Sequence, residues 1–245
     1  MLPDLRRLGR ILIITCNPGT VIGRYQPYPA LTFHHDHNDM AHGGGLSIDL
    51  NRWSRANAWE QRESNTLRYT IEISDTRQEP IHRVCLTPES DFPEFVHWVK
   101  THQGFNPGPA HLAKGFPRHP EIGPMRKDAI LSLLHRLMEL KMRVRVSVGN
   151  AGVSQSHTFE FQELRERGNC VFCAGEETAW HILPERIDCL LTEMCRFRGA
   201  YRLRGLDRDG TTLFALSPGR EANLTLWNRL AVETAEALAP VEARA

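Results

Sequence analysis

The sequence lacks an excess of charge of one sign, and it lacks long apolar runs. Its 30 Lys and Arg residues face 29 Asp and Glu residues, so no bulk attraction to nucleic acid or to an anionic membrane is expected. The apolar run from Ile11 to Ile14 is shorter than the roughly 7–15 residues of a signal-peptide core. No stretch approaches the roughly 18 apolar residues of a membrane span. We therefore expect a cytoplasmic protein that neither inserts into a membrane nor binds nucleic acid.

Recognised catalytic signatures are also missing. The chain has no G-x-x-x-x-G-K-[ST], no G-x-G-x-x-G after a strand and no G-x-S-x-G, which excludes the common nucleotide-binding loops and the nucleophile elbow of hydrolases. Its six cysteines are scattered, and an unexported chain keeps its thiols reduced. The sequence therefore does not predict an enzyme.

An internal repeat is the most informative pattern that is present. An apolar run leads into Asn17-Pro-Gly, and a second one leads into Asn150-Ala-Gly. We interpret both as turns, since Asn and Gly tolerate positive φ. Further pairs follow in the same order at a nearly constant spacing: Leu50 with Leu183, Asp75 with Asp207, Leu86–Pro88 with Leu216–Pro218, and Trp98 with Trp227. The chain is thus predicted to contain two similar halves.

Hydrophobic periodicity predicts an α+β fold with two structurally repeated halves, each a mainly antiparallel β-sheet with flanking helices. The predicted strands cover 10–16, 67–73, 81–86, 143–148, 201–206 and 211–216, with hairpin turns at 76–79 and 208–210, and the predicted helices cover 91–102, 125–141 and 221–238. Residues 104–124 contain five prolines and four glycines, which is typical of a connector. We therefore divide the chain into a half at 1–103, a connector at 104–124 and a half at 125–245.

Two clusters have the composition of metal sites. His34, His35, Asp36 and His37, followed by His42, can hold zinc or another transition metal, or they form an exposed polar loop. Four thiols lie at Cys170, Cys173, Cys189 and Cys195. Their spacing is unlike that of a zinc knuckle, and positions i and i+3 of a strand face opposite sides. Buried, apolar cysteines are therefore the favoured interpretation of the second cluster.

Arginines are concentrated on the strands of the second half. They are Arg196, Arg198, Arg202, Arg204 and Arg220, with Phe197, Tyr201 and Trp227 nearby. Guanidinium groups bind carboxylates in pairs, and aromatic faces suit a flat apolar ligand. The other interpretation is a solvated strand face with alternating arginines, and the residues alone leave both open.

Several segments resemble the HemS/ChuX haemin-utilisation family of haemin-transport and haemin-degrading proteins. In the first half these are Leu8-Gly9 up to Asn17 and Val84–Asp91. In the second half Val144–Gly152 and Gln155–Thr158 are similar to the family's V-F-V-G-N-x-G-x-x-Q-I-H-T. Glu185–Ile187 and Asp207–Gly210 continue in the right order. The resemblance covers roughly 8–100 and 122–232, and it implies a cytoplasmic protein of two repeated halves that binds haem for trafficking or iron utilisation.

The resemblance also implies a ligand and its site. Haem b is the expected cargo, with an axial histidine at His102, in Thr101-His102-Gln-Gly-Phe105, and with His111 and His119 as fallback ligands. The haem propionates are expected on Arg220 and on Arg196 or Arg198. Protein partners implied are a haem-uptake transporter or a haem-degrading enzyme. His157, in the best-matched segment, is interpreted as structural.

This chain departs from the family pattern at three places. Ser47 stands where the family has a basic residue, Ser217 stands where an aromatic residue is usual, and the connector is shorter. The shorter connector and Ser47 favour an alternative, a diverged member without haem that acts as a protein-interaction scaffold. The cluster at His34, His35 and His37 leaves a small metal-binding protein as a third hypothesis. Haem degradation needs an electron donor and an open iron position for oxygen, and no residue pattern indicates either.

Overall fold

The computed structural model describes residues 1–34, 39–63, 66–102, 124–195 and 198–237. These residues form two eight-stranded antiparallel sheets and three α-helices, which confirms the predicted α+β fold with two sheet halves. No helix in these ranges is long and apolar enough to cross a membrane.

Sixteen strands build the sheets. In chain order they are β1 (Gly9–Asn17), β2 (Thr20–Pro27), β3 (Thr32–His34), β4 (Met40–Gly43), β5 (Leu46–Asp49), β6 (Arg55–Glu63), β7 (Thr66–Ser74), β8 (Pro80–Ser90), β9 (Val144–Gly149), β10 (Val153–Phe159), β11 (Glu163–Arg167), β12 (Cys170–Ala174), β13 (Thr178–Ile182), β14 (Cys189–Cys195), β15 (Ala200–Leu206) and β16 (Thr212–Pro218). One sheet has the order β11-β12-β13-β2-β1-β8-β7-β6, and the other has the order β14-β15-β16-β9-β10-β5-β4-β3.

The three helices are α1 (Phe92–His102), α2 (Pro124–Glu139) and α3 (Leu224–Ala237). Asp91 is the residue that caps α1, because its Oδ1 accepts the Glu94 N–H at 3.0 Å. The hydroxyl of Ser90 is used elsewhere and donates to the Arg10 carbonyl. Short 3-10 turns occur at Pro3–Leu8, Leu50–Arg52 and Pro184–Arg186.

The chain forms two compact units. The first unit comprises the described residues within 1–16, 23–117 and 150–155, and the second comprises those within 17–22, 118–149 and 156–245. Each unit has its own apolar core, centred on residues such as Ile11, Ile71 and Trp98 in the first and Trp180, Phe214 and Trp227 in the second. Each unit therefore includes a short segment from the other half of the sequence.

The two repeated asparagines occupy equivalent positions in the two units. Asn17 Nδ2 donates to the carbonyls of Gly149 and Leu213, and its Oδ1 accepts the N–H groups of Gly19 and Thr20. Asn150 repeats this pattern: its Nδ2 donates to the carbonyls of Cys16 and Ile81, and its Oδ1 accepts from the N–H groups of Gly152 and Val153. Each side chain thus joins a turn to two other backbone segments.

The prediction that these turns rest on positive φ is wrong. Neither the asparagines nor the glycines that follow them at Gly19 and Gly152 adopt a left-handed backbone. The glycines are needed for space instead: a Cβ on Gly19 would lie 2.6 Å from Leu213 Cδ1, and one on Gly152 would lie 2.5 Å from Ile81 Cδ1. Positive φ occurs in the predicted hairpins, at Gln78 (65°) and Gly210 (76°).

Candidate functional site

One face of β9, β15 and β16 in the second unit carries small and basic side chains. The alternate residues Val146, Leu203 and Leu216 point into the core. Their neighbours face the other way, and we call this surface the outer face. It consists of Arg145 and Ser147 on β9, Arg202 and Arg204 on β15, and Ala215 and Ser217 on β16.

The cross-strand register places the small side chains together. Ser217 lies opposite Arg145, and Ala215 lies between Ser147 and Arg204 on the neighbouring strands. Arg204 is held in place, because it hydrogen-bonds Thr212 and pairs with Glu193 at 3.8 Å. The outer face therefore combines short side chains with arginines, and at Ala215, which is only 2% exposed, it is covered.

Two of the predicted arginines meet at one end of these strands. Arg198, in the turn between β14 and β15, directs its guanidinium toward the carbonyls of Pro218 and Gly219, each at 3.5 Å. Arg220 follows directly after Gly219 and is exposed. Within the described residues, Arg220 makes no hydrogen bond or ion pair. The Arg198 guanidinium is thus engaged by backbone carbonyls, and the Arg220 guanidinium is available to a carboxylate of a ligand.

Helix α3 holds the turn that carries Arg198. Asn228 accepts the Tyr201 N–H at 2.8 Å and donates to the Gly199 carbonyl at 2.9 Å. The indole of Trp227, which is fully buried, donates to the Tyr201 carbonyl at 2.6 Å. The repeated tryptophan therefore serves to fix the strand end where the two arginines lie. Arg196, the third predicted propionate residue, lies outside the described residues.

His102 is the last residue of α1 in the first unit. Its Nε2 lies 2.8 Å from Asp4 Oδ2, and its ring is 5.3 Å from that of Trp98. The α-amino group and the imidazole of His102 lower the pKa of Asp4, so the carboxylate is ionised. A carboxylate on one ring nitrogen orients an imidazole and raises its basicity as a metal ligand. With Nε2 engaged by Asp4, Nδ1 is the ring nitrogen that is left for another contact.

The remaining predicted histidines fall elsewhere. His111 and His119 lie outside the described residues. His157, interpreted as structural, is 3% exposed on β10. His35 and His37 also lie outside the described residues, whereas His34 and His42 lie on neighbouring strands with ring centres 5.6 Å apart.

The four cysteines of the second half do not form one cluster. Cys170 and Cys173 lie on β12 in one sheet, and Cys189 and Cys195 lie on β14 in the other. All four are free thiols, and Cys173 is buried while the others are half-buried. The part of the chain that the structure describes holds no group of three or more His, Cys, Asp or Glu residues that could bind a metal.

Sequence reasoning missed two features of the structure. The first is that Arg145 and Ser147 lie on the outer face. The alternation of valines in the predicted strand 143–148 could have indicated this. The second is His82, which is enclosed in the first unit between Tyr28, Thr15 and Trp53. Burial lowers the pKa of His82 to about 4. Nothing in the local sequence distinguishes this histidine from an exposed one on a strand.

Solved structures with the same fold are known, although by sequence the chain matches no protein-family model and no curated protein. Holo-PhuS, a heme-binding protein from Pseudomonas aeruginosa, superposes with a TM-score of 0.76 at 19% identity, over 94% of this chain and 82% of that one. ChuS, described as a heme degrading enzyme of Escherichia coli O157:H7, superposes with a TM-score of 0.76 at 13% identity, over 95% and 83%. The fold implied by the resemblance to the HemS/ChuX family is therefore the fold of this chain.

Proposed function

We propose that this chain binds haem b as a cargo and passes it on in the cytoplasm. The observation that carries the proposal is that the Arg198 guanidinium reaches the carbonyls of Pro218 and Gly219, directly before the exposed Arg220. Two guanidinium groups match the two propionates on one edge of haem, and charge-assisted pairs of this kind are among the stronger polar contacts. The shared fold with PhuS, described as a heme-binding protein, supports the same function.

The outer face offers only part of its surface to a porphyrin. Ser217 and Ser147 are half-buried with short side chains, whereas Ala215 is only 2% exposed, so a ring can contact the serines and not Ala215. Arg145 and Arg202 lie on the same face and supply further positive charge. We propose trafficking of the bound haem, with a haem-uptake transporter or a haem-degrading enzyme as the protein that exchanges haem with this chain.

The axial ligand is a separate part of the proposal. We assign it to His102, because the Asp4 carboxylate lies 2.8 Å from its Nε2 and orients the ring, as carboxylates commonly do for metal-binding histidines. Neutral imidazole is an ordinary proximal ligand of haem iron. His111 and His119 are the alternatives in the connector.

A haemin titration of the purified chain, followed by the Soret band, tests the propionate contacts. We expect saturable binding, with a loss of affinity of roughly three- to tenfold for each of Arg198→Gln and Arg220→Gln, corresponding to about 1 kcal/mol per exposed pair. Arg208→Gln is the matched control, since it is exposed in the hairpin at the other end of β15 and β16. Equal losses in the control and in the two variants would contradict the assignment.

Iron-free protoporphyrin tests the propionate contacts separately from the iron ligand. It keeps both propionates but offers no iron, so the two arginine variants should weaken it as they weaken haemin, whereas His102→Ala should weaken haemin alone. His97→Gln, an exposed histidine on the same helix, is the control for His102. If the folded chain shows no response to haemin at all, the scaffold hypothesis replaces this one.

A further inference from the structure

His34 and His42 are paired on the edge of the second sheet, in the first unit. Thr32 lies opposite His42, and His34 lies opposite Met40, so the two histidines are diagonal neighbours on one face of the β3–β4 ladder. Both side chains are exposed, and their ring centres are 5.6 Å apart at an interplanar angle of 56°. This pair has no part in the proposed haem contacts.

The separation of the rings matches two imidazoles on one metal ion. With metal–nitrogen bonds of about 2.0–2.1 Å, the centre of each ring lies roughly 3.2 Å from the metal. Two rings on a tetrahedral or trigonal ion are then roughly 5–5.5 Å apart. The observed separation is close to this range, so a small rotation of exposed side chains is enough to bring both rings onto a shared ion.

Met40 supplies a third donor of a different kind. It lies directly opposite His34 and two residues before His42, so its side chain is on the same face as both imidazoles. Among the described residues of the neighbouring strand, Asp49 lies opposite Met40, and its carboxylate is already engaged by the Asn51 N–H at 3.0 Å and by Arg52 at 3.8 Å. Two imidazoles with a thioether form a borderline-to-soft set of donors, which favours copper over zinc.

We propose that His34, His42 and Met40 form a copper site on the β3–β4 ladder. The site is independent of haem binding: it uses none of the residues assigned to the propionates or to the iron. The ladder holds the three donors on one face before the metal arrives, and the exposed position leaves coordination places open to water or to a donor from a copper-exchanging partner.

The test is an anaerobic Cu⁺ titration of the whole chain against a chromophoric chelator, with Zn²⁺ measured in parallel. We expect one Cu⁺ bound per chain, and a loss of affinity of about tenfold or more in the double variant His34→Gln/His42→Gln. Met40→Leu should lower the affinity for Cu⁺ but leave the affinity for Zn²⁺ unchanged. His97→Gln, an exposed histidine elsewhere, should bind Cu⁺ as the wild type does.

The neighbouring histidines of the sequence provide the decisive comparison. The variant His35→Gln/His37→Gln should keep the Cu⁺ affinity of the wild type. The proposal is overturned if this variant loses the copper while His34→Gln/His42→Gln keeps it, or if Met40→Leu changes Cu⁺ and Zn²⁺ affinity alike. Circular dichroism confirms that each exposed substitution leaves the fold intact, and haemin binding of the double variant should be that of the wild type.

Discussion

His82 shows how a single buried residue makes stability depend on pH. Its two ring nitrogens lie 3.3 Å from the Tyr28 hydroxyl and 3.5 Å from the Thr15 hydroxyl, and the Trp53 ring stacks on it at 6.0 Å. All of these partners are neutral, so none of them compensates a charge on the imidazole. Desolvation therefore lowers its pKa to about 4, from the ordinary value of 6.5.

The sign of the effect follows from proton uptake. Between pH 6.5 and about 4 the unfolded chain binds a proton at residue 82 that the folded chain does not. The contribution to the free energy of unfolding is thus fully present above pH 6.5 and declines as the pH falls, by about 2–3 kcal/mol at pH 4.5. Urea unfolding of the wild type and of His82→Gln, at pH 7 and at pH 4.5, measures it: the variant should lose less stability between the two pH values than the wild type does.

An exposed histidine supplies the comparison for this measurement. His97→Gln is the matched substitution of an exposed histidine on α1, and it should keep the pH dependence of the wild type. If the free energy of unfolding changes equally with pH in His82→Gln and His97→Gln, the buried neutral histidine does not set the acid sensitivity of the chain.

At the scale of elements, the two asparagine turns are the strongest local links in the fold. Replacing Asn150 with alanine removes two donated and two accepted hydrogen bonds to the backbone at once. At roughly 1 kcal/mol per bond, with extra cost for backbone groups left without a partner, we expect a loss of about 3–5 kcal/mol. Asn17→Ala should cost a similar amount, since its four contacts are the same in kind.

Chemical unfolding of the two variants at neutral pH measures these losses in the free energy of unfolding. Asn51→Ala serves as the control, because this asparagine is exposed in a 3-10 turn and should change the free energy of unfolding by less than about 0.5 kcal/mol. A loss in Asn17→Ala or Asn150→Ala no larger than in the control would show that solvent replaces the side-chain bonds without penalty.

The periodicity of the sequence predicted six of the sixteen strands and the three helices of the described residues. β1, β7, β8, β9, β15 and β16 and all three helices occur within a few residues of the predicted bounds. β10 was missed because two of its buried positions are polar, Gln155 and His157. β6 was missed because it is an edge strand rich in charged residues, a composition that blocks further pairing and hides the strand from an apolar pattern.

The candidate site was predictable in its residue types and not in its arrangement. Arg198 and Arg220 were selected by the resemblance, but their proximity depends on the register of β15 with β16, which sets Leu203 opposite Leu216. The register of β9 with β16 places Arg145 opposite Ser217. Registers depend on long-range pairing, and no short segment of the sequence encodes them.

At the scale of the whole molecule, each unit contains a short segment from the other half of the sequence. We therefore expect the two halves to depend on each other for folding. The first unit needs residues 150–155, which bring Asn150 and the buried Val153, and the second unit needs residues 17–22, which bring Asn17 and the buried Ile22. The fragments 1–103 and 125–245 each lack one of these segments. Each fragment therefore leaves a gap in its core and backbone groups without their asparagine partner.

We expect neither fragment to fold alone, and we expect the full chain to unfold in one cooperative transition when circular dichroism and tryptophan fluorescence are compared. The dispersion of amide signals in NMR spectra checks the fragments, and mixing them should restore part of the native spectrum, because each then supplies the segment that the other lacks. Dispersed spectra from either fragment alone, or two separate transitions in the full chain, would mean that the exchanged segments add little to stability. In that case the repeat would be a pair of autonomous domains, and the asparagine turns would have only a local role.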